Sequence, residues 1–141
     1  MKAFTDLEQS KKLAEILPPE SADMCWTNHY YGPLRSSITI SAKSIDEYKN
    51  LLKNFADLTE IDVFYPAWSL ASLLNVLPNS ENISTNLSKG GYRISTLEYT
   101  NSWFVDYEDA TDGLNNCVTS ADNPVDACVE MIERLHELNL L

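Results

Sequence analysis

At 141 residues the chain has the length of one domain, and 44% hydrophobic with 22% charged residues is a globular balance that excludes intrinsic disorder. Twenty-one acids against ten Lys and Arg give a formal net charge of −11, which repels phosphate backbones and anionic lipid and argues against direct nucleic-acid or membrane-surface binding. No apolar run reaches the roughly eighteen residues of a membrane span, and the polar start Met1-Lys2-Ala3-Phe4-Thr5-Asp6 has no apolar signal core, so a cytoplasmic protein is expected.

Thr5-Asp6-Leu7-Glu8 reads as a capping box, with Leu13, Ile16 and Leu17 following at helical spacing; a helix over about 5–17 is predicted, ended by Pro18-Pro19. Met24 to Tyr31, with Trp26, His29 and Tyr30, reads as a strand entering the Gly32-Pro33 turn. Ser36 to Ser41 alternates Ile38 and Ile40 with small polar residues, as a half-buried strand does. A second capping box, Ser44-Ile45-Asp46-Glu47, opens a helix with Ile45, Tyr48, Leu51, Leu52 and Phe55 on one face.

A short strand is predicted over 60–65, and Pro66 is expected to start a helix over 67–77, stopped by Pro78. Its apolar residues (Trp68, Leu70, Ala71, Leu73, Leu74, Val76, Leu77) run almost all the way round, so it is either central or covered by another chain; self-association or partner contact at Trp68 is one expectation. Residues 79–91 are Asn- and Ser-rich and read as a long loop, and the sequons Asn82-Ile83-Ser84 and Asn86-Leu87-Ser88 add nothing without secretion. A hairpin over 92–107 is predicted around Thr100-Asn101-Ser102, and 108–121 reads as acidic loop. Asn123 or Asp122 caps the last helix, Pro124 suits its first turn, and Val125, Cys128, Val129, Ile132 and Leu135 form its buried stripe. Helices mixed with a hairpin point to an α+β fold, one domain over 1–141 with about four helices and a small, mostly antiparallel sheet.

Tyr65-Pro66-Ala67-Trp68-Ser69-Leu70-Ala71-Ser72-Leu73-Leu74-Asn75-Val76-Leu77-Pro78 resembles a recurring stretch in small uncharacterised bacterial proteins associated with phages and mobile elements. Gly91-Tyr92-Arg93 and Asn123-Pro124-Val125-Asp126-Ala127-Cys128-Val129-Glu130-Met131 resemble it too. The likeness covers about the last eighty residues, leaves out 18–42, and implies a context but no activity.

Cys25, Cys117 and Cys128 are odd in number and widely spaced, as reduced thiols are, and with only His29 and His136 beside them they make no zinc set. Asp106, Glu108, Asp109, Asp112 and Gly113 do not fit an EF-hand: with Gly113 at loop position 6, position 12 is Thr119. A loose carboxylate site for a hard cation is the alternative to a solvated acidic loop. There is no Gly-x-Ser-x-Gly elbow, and Lys89-Gly90-Gly91 is not a P-loop. No catalytic residue, metal or cofactor is therefore assigned.

Charge is the stronger signal. Residues 98–141 carry ten acids against Arg134 alone, whereas 1–97 carry eleven acids and nine bases. The expectation is a non-enzymatic interaction protein that meets a basic protein partner through its acidic second half, with Trp68, Asp106, Glu108, Asp109 and Asp112 as contact residues and a homodimer as a further expectation. In a phage setting it would modulate a host protein. The alternative is a small-ligand binder or enzyme with a site of scattered carboxylates and tyrosines.

Overall fold

The first helix, α1 (Leu7–Ile16), is capped one residue later than the Thr5 capping box predicts. Asp6 accepts from the Gln9 N–H at 2.9 Å, and Gln9 Oε1 accepts from the Asp6 N–H at 3.1 Å. A carboxylate here also meets the positive end of the helix dipole, which a threonine would not. Thr5 is buried instead, where its hydroxyl accepts from Trp68 N–H at 3.1 Å and lies 2.8 Å from Ser10 Oγ. The computed structural model describes residues 1–30, 36–52, 61–93, 98–113 and 116–141, and the chain packs as two units, Phe4–Ser72 and Leu73–Leu141 with Met1–Ala3.

In the first unit a 3-10 turn at Pro19–Ser21 follows α1 and leads into β1 (Met24–Tyr30). β2 (Ser36–Ser41) and β3 (Ile61–Ala67) flank β1 antiparallel in the order β2-β1-β3, so Trp26 faces Ile40 on one side and Tyr65 on the other. Between the two, α2 (Ile45–Leu52) starts at the predicted Ser44–Glu47 box, with bonds of 3.3 and 3.4 Å; Phe55, predicted on its face, lies outside the described residues. The predicted 67–77 helix is shorter. Pro66 belongs to β3, opposite Cys25, where an edge strand tolerates a residue without N–H. The helix, α3, spans Leu70–Val76.

A buried hydroxyl network fixes this unit's interior. Trp68 Nε1 donates to Ser21 Oγ at 2.9 Å, and Trp26 Nε1 donates to Ser10 Oγ at 3.1 Å. Thr5 joins the Trp26 indole to the Trp68 main chain: its carbonyl accepts from Trp26 Nε1 at 3.3 Å, its hydroxyl accepts from the Trp68 N–H, and its own N–H donates to the Trp68 carbonyl at 2.9 Å. Each indole buries a large apolar ring and still finds an acceptor, which removes the cost of a buried donor. At the start of α3, Ser69 Oγ accepts from Ser72 N–H at 3.3 Å, while the Asp23 carboxylate accepts from Ser69 N–H and from Ser72 Oγ, both at 2.9 Å, and from the Ser69 hydroxyl. Burial pushes the Asp23 carboxyl up, but the Ser69 and Ser72 bonds outweigh it and hold it below the usual aspartate value.

The second unit is a sheet of β4 (Ile83–Arg93), β5 (Glu98–Asp109) and β6 (Cys117–Ala121), antiparallel in the order β4-β5-β6, with α4 (Pro124–Glu137) on one face. Residues 79–91, predicted as loop, are strand from Ile83 on. β4 and β5 pair from Ile83↔Asp109 to Arg93↔Glu98, so the hairpin predicted over 92–107 is longer, and Thr100-Asn101-Ser102 lies within β5 rather than at a turn. β6 falls in the predicted acidic loop. The register puts Ile83, Thr85 and Leu87 on the same face as Trp103, Val105 and Tyr107 and as Cys117, Thr119 and Ala121. Val105 and Tyr107 are buried there. The helix docks on this face, where Thr119 Oγ1 donates to the Ala127 carbonyl at 2.9 Å and Cys117 Sγ lies 3.6 Å from Met131 Sδ.

The last helix is built as its sequence predicts. Asn123 accepts from Asp126 N–H at 2.9 Å, Pro124 occupies the first turn, and Val125, Cys128, Val129, Ile132 and Leu135 are buried with Ala127 and Met131. The result is an α+β fold, with four α-helices and two three-stranded antiparallel sheets among the described residues. No helix among the described residues is long and apolar enough to cross a membrane.

The thiols give a direct check on this packing. Burial pushes Cys25 and Cys128 up to about 11, and it also raises the half-exposed Cys117 despite the opposing Arg134. A disulfide reagent at neutral pH is expected to titrate Cys117 first and slowly, and to reach Cys25 and Cys128 only in denaturant. Rapid release from all three in the native protein would contradict the packing of β1 and α4.

Candidate interaction surface

Trp68, expected as an exposed anchor, is not one. It is 0% exposed, precedes α3 rather than lying on it, and its one polar atom is already bonded to Ser21. The apolar circumference expected of its helix is mostly absorbed as well: Leu73 and Leu77 are buried, and among the large residues of α3 only Leu74, at 38%, is exposed. The reason is that β3 extends through Ala67, so the helix loses its first turn and its tryptophan to the interior.

The four acids expected to make contacts are brought to one end of the second unit, on three kinds of position. Asp106 and Glu108 alternate with the buried Val105 and Tyr107 and so point from β5 to the face opposite α4; Glu108 is exposed and Asp106 half-buried. Asp109 closes the strand. Its carboxylate accepts from both the N–H and the hydroxyl of Thr111, at 2.8 and 2.7 Å, and its N–H donates to Asn116 Oδ1 at 3.1 Å. Those Thr111 bonds hold the Asp109 carboxyl below its usual value. Asp109 is thus committed to the turn, and the Asp112 N–H bonds its carbonyl at 3.3 Å.

Beside this turn lies a cleft of about 260 Å3 lined by Ser80, Glu81, Asn82, Ile83, Ser84, Glu108, Asp109, Ala110 and Asn116. Its acids are Glu81, Glu108 and Asp109, and no histidine or cysteine lines it. Among the described residues no three His, Cys, Asp or Glu side chains come together to hold a metal ion. The neighbouring Tyr107 is pushed up first by burial and then by the charges of Asp109, Cys117 and Asp112, so its phenol stays protonated and is a poor proton donor. In the first unit a larger cleft of about 480 Å3 lies between Pro19-Glu20 and the first turns of α2 at Ser44, Ile45, Asp46 and Lys49; it contains none of the expected residues.

A further acidic feature lies on α4, where Asp126, Glu130, Glu133, Arg134 and Glu137 cover much of the helix outside its apolar stripe. Asp126, Glu130, Glu133 and Glu137 recur at four- and three-residue steps on the side of α4 away from its buried stripe, so they form one ridge. Lys2 meets Asp126 at 2.7 Å and Arg134 meets Glu137 at 3.3 Å. Glu130 is pushed above its usual value, by burial first and then by Asp126 and Glu133. The helical spacing of these acids is legible in the sequence, because they take positions that the apolar stripe of the same helix leaves open.

The sign of the Glu130 shift fixes a pH dependence. A carboxyl whose folded pKa lies above its unfolded value costs stability above that range and gives it back as pH falls through the folded pKa. Glu130→Gln is therefore expected to raise the melting temperature slightly at neutral pH and low salt. The gain should vanish below the glutamate range, where Glu130 is protonated, and shrink with added salt. No gain at neutral pH and low salt would mean the ridge is not repulsive.

Compared with known protein families, with curated proteins and with solved structures, the chain matches none.

Proposed function

We propose that this chain is a non-enzymatic interaction protein whose acidic second half binds a basic protein partner. The observation that carries this reading is the α4 ridge, in which Asp126, Glu130, Glu133 and Glu137 share the side of the helix away from its buried stripe, Glu130 and Glu137 are exposed, and Lys2 and Arg134 are the cations on either side. Like charges held together in the free protein are relieved when a cationic surface arrives, which favours fast, salt-sensitive association. Glu108, exposed on the other face of the sheet, extends the same field. The resemblance to phage- and mobile-element-associated proteins makes a bacterial host protein the kind of target, and modulation of that target the role. Trp68 takes no part in this reading; Glu108 and the ridge take its place.

The alternative, a small-ligand binder or enzyme, draws on the cleft at Glu81, Glu108 and Asp109. That cleft lies below the ~300 Å3 at which ligand sites for drug-sized molecules begin, and Asp109 is already spent on Thr111.

The test is capture from bacterial lysate at low and at moderate salt, with Glu130→Gln/Glu133→Gln/Glu137→Gln beside the wild type. A discrete basic protein, lost with salt and with the variant, is the expected result. Equal capture by the variant, or none at either salt, would overturn the reading and turn attention to the cleft.

A further inference from the structure

We propose that the outer edge of β6 receives an extended, lysine- or arginine-rich strand of a partner protein, adding a fourth strand to β4-β5-β6. The proposal rests on the acidic-partner reading and names the place and mode of contact.

Hydrogen-bond parity shows which groups that edge offers. Ala110 N–H donates to the Asn82 carbonyl, whereas Thr85 N–H turns away from β5 to Asn79 Oδ1 and Asp109 N–H turns the other way to Asn116. Even-numbered residues of β5 therefore bond β4, and Trp103, Val105 and Tyr107 bond β6 at Ala121, Thr119 and Cys117. Val118 and Ser120 are left with N–H and C=O pointing outward. Among the described residues no strand pairs with them, Ser120 is exposed and Val118 is 59% exposed.

The two edges of this sheet are treated differently. The β4 edge is guarded: Pro78, Asn79 and Ser80 bond Thr85 and Ile83, Lys89 places a charge on it, and a bulge with Gly90 at φ 69° shifts the register before Gly91. Such devices keep edges from pairing. β6 has none: no proline, no charge and a regular register through all five residues.

Charge selects the occupant. A strand beside β6 would lie two strand spacings, about 9–10 Å, from β5, and Asp106 lies directly across from Val118 on the shared face. Long cationic side chains on the added strand point toward that carboxylate and Glu108. A second copy of this chain would instead bring another net charge of −11 to the same edge.

The probe is a blocked octapeptide of alternating lysine and valine, with a second version N-methylated on the residues that would bond β6, followed by fluorescence anisotropy. Ser120→Pro removes an outward N–H and leaves the β5 ladder intact; Ser120→Ala is its control. The expected result is binding of the unmethylated peptide, weakened at least about tenfold by methylation or by Ser120→Pro and unchanged by Ser120→Ala. Equal binding of both peptides would overturn the edge and leave the acidic-partner reading standing, since charge alone would then hold them. No binding of either would overturn the edge, and the α4 variant in lysate then decides the broader reading separately. Self-association lost in Ser120→Pro would make a second copy the occupant and overturn the basic strand. If Ser120→Pro melts early, the methylated peptide on wild-type protein decides alone.

Discussion

Ile132→Asp is expected to abolish the cooperative unfolding of the Leu73–Leu141 unit. Ile132 is 0% exposed on the stripe of α4, between the buried Val129 and Leu135 one helical turn away on either side. The substitution removes the packed side chain, at about 2–5 kcal/mol for a large-to-small change, and leaves a carboxylate in an apolar interior. An unpaired buried charge adds several kcal/mol or forces the group to be neutral. Together these approach the whole of the ~5–15 kcal/mol that stabilises a typical domain. Thermal unfolding followed by far-UV circular dichroism should show no transition, whereas Ile132→Val should cost only about 0.5–1.5 kcal/mol. A variant that melts within a few degrees of wild type would mean that α4 does not close this core. Lowering the pH should partly rescue Ile132→Asp, because protonation removes the charge, and should do nothing for a shape defect alone.

The second large effect belongs to the Phe4–Ser72 unit. Trp68→Ala is expected to destabilise it by about 3–5 kcal/mol, the usual cost of emptying a buried aromatic site. Trp68 is fully buried, and its indole N–H is the partner of Ser21 Oγ. Trp68→Phe separates the terms: it keeps most of the ring volume and loses the hydrogen bond, so it should cost less than the alanine variant. Trp103→Ala is the contrast, since Trp103 is half-buried with Lys89 Nζ 5.6 Å from its ring centroid, and its loss should be clearly cheaper. Denaturant unfolding of the three variants checks the order. A Trp68→Ala protein as stable as wild type, but unable to associate, would restore Trp68 as a surface anchor.

These two residues mark where sequence reasoning succeeds and where it stops. Ile132 was legible because α4 carries all its signals locally: a capping Asn123, Pro124 in the first turn and an apolar stripe at helical spacing. Ser44–Glu47 was legible for the same reason. Trp68 was misplaced because Pro66 reads as a helix start from its neighbours alone, while its place opposite Cys25 on an edge strand depends on β1. In β4, Ile83, Thr85 and Leu87 do alternate, but Asn and Ser between them carried the composition of a loop, and only pairing with β5 makes that segment a strand. Thr5 reads as a cap because its hydroxyl and Glu8 have the right spacing; Asp6 and Gln9 have it equally, and the Thr5 hydroxyl is buried against the Trp68 main-chain N–H and Ser10 Oγ instead.

For the candidate surface the division is similar. Composition and position along the chain determined that the second half is acidic, that metal and nucleophile motifs are missing from the sequence, and that the fold mixes helices with antiparallel strands, because charge count and helical periodicity are local properties. Tertiary structure alone decided which acids are spent and which face outward. Asp126 meets Lys2 from the far end of the sequence, Glu108 faces away from α4, and among the described residues β6 is left as an edge with Val118 exposed. Each of those outcomes depends on strand order and helix docking, long-range choices made by burial and pairing between residues far apart in the chain.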